Sequence, residues 1–104
     1  YYRVLKEYGK QIKLKELVVK PGQSLSMQQH FKRKEFWFVA EGEASVYSMD
    51  VEDVRKLRGT YTKFDILDII DQEWHQLCNE GNQPLKIIEI QYGSECIEED
   101  INRK

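Results

Sequence analysis

Apolar and polar positions alternate over short stretches along nearly the whole chain, and no stretch of useful length carries a 3.6-residue stripe. Residues 2–8 and 11–20 are rich in aromatic, β-branched and Leu positions, and Gly9-Lys10 between them reads as a hairpin turn. Pro21-Gly22 breaks that pairing. Residues 25–30 are predicted as a short strand, followed by a charged turn at 32–34 and a strand at 35–40 that ends in Glu41-Gly42. Residues 43–49 and 51–57 read as a pair around Asp50. Residues 60–70, 74–78 and 85–92 complete the set, with a turn at 82–84. Only residues 98–102 suggest helix, about one turn of it.

Many short strands separated by turns every eight to twelve residues predict an all-β sandwich or small antiparallel barrel. The run EFWFVA, residues 35–40, is apolar on both strand faces. One face therefore packs inside the barrel, and the other against a second sheet or a second copy of the chain. A homodimer is the sharper of those two expectations.

Composition narrows the class without naming it. A chain of 104 residues fits a single domain, 1–104. Sixteen basic and eighteen acidic residues leave a formal charge of −2, with no basic face for nucleic acid; Lys32-Arg33-Lys34 is too short to serve as one. No apolar run approaches the roughly 20 residues that span a bilayer, and no signal-peptide pattern opens the chain, so no membrane partner is expected. Cys78 and Cys96 lack CxxC spacing and read as reduced thiols of a cytoplasmic protein. The chain opens on Tyr rather than Met and is expected to be an excised piece.

Candidate chemistry gathers in QQHFKRKE, residues 28–35. Side chains two apart on a strand share a face, so Gln28 and His30 point the same way. A hairpin closed by FKRK would bring Glu35 across to them, and His75 lies on a later strand able to close the same cavity. An amide oxygen, two imidazoles and a carboxylate suit a divalent cation with open positions, among them Zn, Mn, Mg, Co or Fe. The pattern leaves other readings open: a strand histidine is commonly a hydrogen-bonded structural residue, and Glu35 beside Arg33 and Lys34 could form a surface ion pair. If buried without a cation, Glu35 would cost several kcal/mol or be driven to protonate. Cys78 stands at odd spacing from His75 and should face away, while Trp37, Phe36, Phe38 and Trp74 read as packing.

These residues carry a resemblance. Gly22, Gln28, His30, Glu35 and Gly42, at their spacing, resemble the first cupin motif, and residues 75–79 (HQLCN) resemble the end of the second. VKPGQSLSMQQHFKRKEFWFV and PLKIIEIQYGSECIEEDINR resemble the C-terminal cupin of type II phosphomannose isomerases, a branch often fused to a guanylyltransferase, in which Gln is usual at the Gln28 position. The resemblance implies a double-stranded β-helix, or jelly roll, with a divalent metal held by Gln28, His30, Glu35 and His75. It further implies interconversion of mannose 6-phosphate and fructose 6-phosphate, in GDP-mannose and polysaccharide synthesis. Lys15, Arg33 and Arg103 match basic positions of the family and are candidates for the phosphosugar; no catalytic acid or base is assigned. Ile70-Asp71-Gln72 replaces the family's Pro-x-Gly, so the turn before His75 is expected to be built differently. A glycine-rich nucleotidyltransferase signature is absent, which leaves a separate guanylyltransferase partner open. Two other classes stay in play: a non-catalytic sugar- or nucleotide-sugar-binding cupin, and another cupin enzyme such as a nucleotide-sugar ketoisomerase or epimerase. An iron oxygenase is disfavoured by Gln28.

Overall fold

The chain begins with two paired strands, β1 (Tyr2–Tyr8) and β2 (Ile12–Val19), matched from Tyr2↔Leu17 to Tyr8↔Ile12. The computed structural model describes residues 1–104, which form eight further strands and no helix. They are β3 (Gln28–Gln29), β4 (Arg33–Glu41), β5 (Ala44–Met49), β6 (Arg55–Tyr61), β7 (Ile66–Ile69), β8 (His75–Cys78), β9 (Leu85–Gly93) and β10 (Asn102–Arg103). Two five-stranded sheets result, ordered β1-β2-β9-β4-β7 and β10-β3-β8-β5-β6. All pairings are antiparallel. From β3 onward the chain crosses repeatedly between the sheets, which winds them into a double-stranded β-helix.

The interior changes character along the barrel because inward positions two apart do not keep one polarity. In β9, Leu85 and Ile87 are buried and apolar, whereas the next two inward positions are Glu89 and Gln91. β4 runs the other way, from buried Arg33 and Glu35 to buried Trp37 and Val39. β2 joins them through Lys15↔Glu89 and Leu17↔Ile87. One end of the barrel is thus a dry cluster of eleven residues, including Val39, Val46, Ile69, Leu77, Leu85 and Ile87. Each such aliphatic side chain contributes about 1.5–3 kcal/mol on burial. That end holds the sheets together and leaves the other end free for polar groups.

Several expectations need correction. Residues 98–102 do not form a helical turn: a tight turn closes with the Asp100 amide donating to the Ile97 carbonyl at 3.3 Å, and the chain then enters β10. The Asp100 carboxylate explains the turn, since it accepts from the Phe31 and Lys32 amides at 3.0 and 2.8 Å. Residues 28–35 are not a hairpin; β3 and β4 lie in different sheets. The expected strand at 60–70 is interrupted by a turn at 62–65, where Phe64 adopts φ 76°. The strand expected from Val51 starts only at Arg55, because Asp50 Oδ1 accepts from the Glu52 and Val54 amides and holds a turn there. The outward face of β4 is not covered by the second sheet, which packs on the inward face; Phe38 instead stacks on Phe64, with centroids 6.1 Å apart. No helix is long and apolar enough to cross a membrane.

Candidate metal centre

His75 opens β8 directly opposite Gln28 of β3, so their side chains emerge on the same face of the second sheet. The turn before His75 keeps a left-handed residue: Gln72, at φ 67°, stands where the resembled motif has glycine. Its amide donates to the His30 carbonyl at 2.6 Å, which offsets part of the roughly 1–2 kcal/mol that a left-handed side-chain residue costs. This bond ties the two histidine-bearing segments together. Both rings are then aimed by main chain. His30 Nδ1 donates to the Asp100 carbonyl at 2.6 Å, and His75 Nδ1 to the Glu73 carbonyl at 2.9 Å. With the proton on Nδ1, each Nε2 lone pair faces the barrel interior.

Glu35 meets them from the opposite sheet, not along a shared hairpin. Its Oε2 lies 3.4 Å from His30 Nε2, and its Oε1 lies 3.6 Å from His75 Nε2. The donor atoms of His30, Glu35 and His75 all fall within 4.8 Å of one another, and all three residues are buried. These are not His–Glu ion pairs. Burial first, and the Arg33 charge second, push the His30 pKa down to about 4, and burial also lowers that of His75. Both imidazoles are neutral near pH 7, with lone pairs available.

A second carboxyl shares the polar end. The Trp37 Nε1–H is split between Glu35 Oε1 at 3.1 Å and Glu89 Oε2 at 2.9 Å, while Gln91 Nε2 donates to Glu89 Oε1 at 2.7 Å. Burial, then the neighbouring Glu35 charge, raises the Glu89 pKa to about 8, so Glu89 keeps its proton at neutral pH. Gln91 Oε1 is buried without a hydrogen-bond partner. An orphaned acceptor of this kind is costly, and is free to take a donor from a ligand. Sequence reading missed Glu89 and Gln91. The signal was their place in the inward period of residues 85, 87, 89 and 91.

The candidate phosphosugar residues occupy three different settings. Lys15 is buried, with Nζ on Glu98 at 2.9 Å and over the Tyr2 ring at 4.2 Å. Arg103 lines the same cavity from an exposed position, and its side chain makes no hydrogen bond or ion pair. Arg33 is neither exposed nor at the rim. Its guanidinium is buried against Glu35 Oε2, with Nε and Nη2 both at 3.2 Å, and Nη2 is 3.0 Å from His30 Nε2. The Arg33–Glu35 contact, left open from the sequence as a surface pair, is an interior one. Gln28 lines the cavity with its amide nitrogen on Ser26 Oγ at 3.0 Å. Cys78 makes no contact with the cluster; its sulfur accepts from Arg55 at 3.7 Å.

The donor set fits a divalent cation. Neutral imidazole nitrogens with a carboxylate form a borderline set, and the backbone-fixed Nδ1 atoms supply the orienting bonds that metal-ligating histidines normally have. The 3.4 and 3.6 Å separations approach the edge of about 3.4 Å expected of a tetrahedron with bonds of about 2.1 Å. The cavity that Glu35 and His75 line has a volume of about 240 Å³. That lies below the roughly 300 Å³ at which drug-sized ligand pockets begin, and suits one small polar molecule.

The fold and this interior site define a cupin-type barrel. The protein of Klebsiella pneumoniae described as having a double-stranded β-helix domain superposes with a TM-score of 0.82 over 99% of this chain and 82% of its own, at 16% identity. The chain belongs to the mannose-6-phosphate isomerase C-terminal family, which matches residues 1–104. Its relatives include the xanthan biosynthesis protein XanB of Xanthomonas campestris pv. campestris, 37% identical over 98 residues, covering 93% of this chain and 20% of that protein. The alginate biosynthesis protein AlgA of Pseudomonas aeruginosa is likewise 37% identical over 97 residues, covering 93% and 19%. The chain spans about a fifth of the length of these relatives.

Proposed function

We propose that the chain is the metal-dependent isomerase module of a type II phosphomannose isomerase, interconverting mannose 6-phosphate and fructose 6-phosphate for GDP-mannose and polysaccharide synthesis. The observation that carries this reading is the meeting of His30, Glu35 and His75 at the wall of a cavity sized for one small polar ligand, a cavity that Glu35 and His75 themselves line. When bound, a divalent cation supplies Lewis-acid polarisation of a sugar carbonyl or hydroxyl oxygen. His30 and His75 would hold it through Nε2 and Glu35 through its carboxylate, with Gln28 adding its amide oxygen. The chain's own contribution is orientation: the Asp100 and Glu73 carbonyls fix the imidazoles before any ligand arrives, which lowers the cost of assembling the site. Arg103 is the cavity-lining cation without a partner and is best placed to take a phosphate, while Lys15 reaches one by exchanging Glu98. Gln91 Oε1 offers an acceptor to a sugar hydroxyl.

A second reading, a cupin that binds a phosphosugar without chemistry, is favoured by one contact: Arg33 donates to the same His30 lone pair that a metal would use. A coupled assay with mannose 6-phosphate, run with and without a chelator, separates the two. The isomerase reading expects turnover that chelation abolishes and added divalent metal restores. Turnover surviving complete metal removal refutes the metal mechanism; metal bound without turnover supports the binding module.

A further inference from the structure

The polar end of the barrel already contains a cation. Arg33 is 5% exposed, and every nitrogen of its guanidinium is engaged: Nε and Nη2 with Glu35, Nη2 also with His30, and Nη1 with the Ile97 carbonyl at 3.4 Å. A guanidinium only donates. Because His30 Nδ1 is committed to the Asp100 carbonyl, the contact at Nε2 must be an N–H donated to the imidazole lone pair. One lone pair serves one partner, and a metal bond of about 2.1 Å would take the same one. Arg33 also neutralises Glu35, which offsets the cost of burying that carboxylate. Its setting offers a way out, because Arg33 lies between the interior cavity and a second hollow of about 250 Å³ whose wall includes Asp71. The Asp71 carboxylate has no hydrogen-bond or ion-pair partner.

We propose that Arg33 is a resident counter-cation that a divalent ion must displace from His30 and Glu35, so that this side chain sets the affinity of the site for metal. The inference rests on the metal reading of His30, Glu35 and His75. Loading is then an exchange of one cation for another, not the filling of a free site. This exchange lowers the affinity of every divalent cation by a common factor, because each must compete with a forked, charge-assisted contact. A plain electrostatic effect would act differently: any positive charge in the cavity would oppose the ion, whether or not it touched a donor atom.

Calorimetric titration with Co2+ alone, on chelator-treated protein, tests this in the wild type, Arg33→Gln, Arg33→Lys and Lys15→Gln. Lys15 is the control, a buried cation of the same cavity that makes no contact with the three donors. Displacement predicts at least about a tenfold gain in affinity for Arg33→Gln, equivalent to about 1.4 kcal/mol. It predicts less than about a threefold gain for Lys15→Gln. Arg33→Lys keeps a charge for Glu35 but loses the fork; it should gain more than about threefold, and it keeps the proposal testable if the Gln variant does not fold. Equal gains for the Arg33 and Lys15 variants, or no gain at Arg33 while the wild type binds Co2+, overturn the displacement and leave the metal reading intact. Failure of every protein to bind Co2+ overturns both. A metal-loaded crystal structure in which Arg33 still donates to His30 Nε2 also overturns it.

Discussion

Replacing Glu35 by Gln isolates the charge that organises the polar end. The substitution is nearly isosteric and leaves an amide oxygen where Arg33 can still donate, so what disappears is the negative charge 3.2 Å from the guanidinium. Removing one partner of a buried ion pair typically costs about 3–5 kcal/mol, because the remaining charge is left uncompensated. Part of that loss is regained here. Glu35 is one of the charges that keep Glu89 protonated, so without it Glu89 ionises more readily and partly balances Arg33. A net loss of at least about 2 kcal/mol is expected, or roughly 8–16 °C in Tm for a domain of this size. The partner experiment is Glu35→Gln combined with Arg33→Met, which removes both charges and should lie within about 1 kcal/mol of the wild type. Urea unfolding with a chelator present, followed by the fluorescence of buried Trp37, measures all corners of the cycle. Additive effects, with a coupling energy below about 0.5 kcal/mol, would refute the account of Arg33 as the counter-charge of Glu35.

Stability in chelator should also depend on pH with two opposite slopes. For His30, pushed down from 6.5 to about 4, the unfolded chain takes up a proton first; this contribution is whole above pH 6.5 and is lost as pH falls towards 4. For Glu89, raised from 4.5 to about 8, the folded chain keeps its proton longer; stability is whole below pH 4.5 and is lost as pH rises towards 8. His75, lowered in the same direction, adds to the His30 slope, and together they outweigh the opposing slope of Glu89 below pH 6.5. A maximum near pH 6.5 and a fall between 6.5 and 8 are therefore expected, and Glu89→Gln should remove the alkaline fall; a flat urea midpoint from pH 6.5 to 8 in the wild type contradicts the Glu89 assignment. Gly93→Ala probes the seam beside Arg33. Gly93 has φ 154° and pairs with Arg33, and a Cβ there would lie 2.4 Å from the Lys32 carbonyl oxygen. A loss of about 1–3 kcal/mol is expected, read from the urea midpoint, and a neutral result would mean that the seam yields freely.

Much of the fold was legible because its strands keep a period of two and end in recognisable turns. Residues 2–8 match β1 throughout, and residues 85–92 match β9 to within one residue. The failures have local causes. The segment 60–70 is mostly β-formers, and Lys63 and Asp65 are too slight a break to announce that the phenylalanine between them will turn left-handed. The strand after Asp50 was placed early because an aspartate capping two amides looks like any acidic residue until its partners are known. At the site, strand spacing placed Gln28 and His30 on one face and left His75 to a later strand able to close the same cavity, whereas the route of Glu35 into it did not follow. Proximity in sequence suggested a hairpin, but the barrel places Glu35 on the facing sheet. Arg33 defeated the reading for a related reason: an arginine among lysines looks solvated, and only the inward phase of β4 betrays it.

The carbonyl that steers His30 belongs to Asp100, seventy residues further along the chain. The same residue clasps the amides of Phe31 and Lys32, and just beyond it β10 is stitched to β3 by the pairs Asn102↔Gln29 and Arg103↔Gln28. The last few residues therefore act as a tether on an imidazole. Pulling, cutting or re-docking that tether would rotate the ring without touching it, making the pose of His30 a reporter of whatever engages the C-terminal segment.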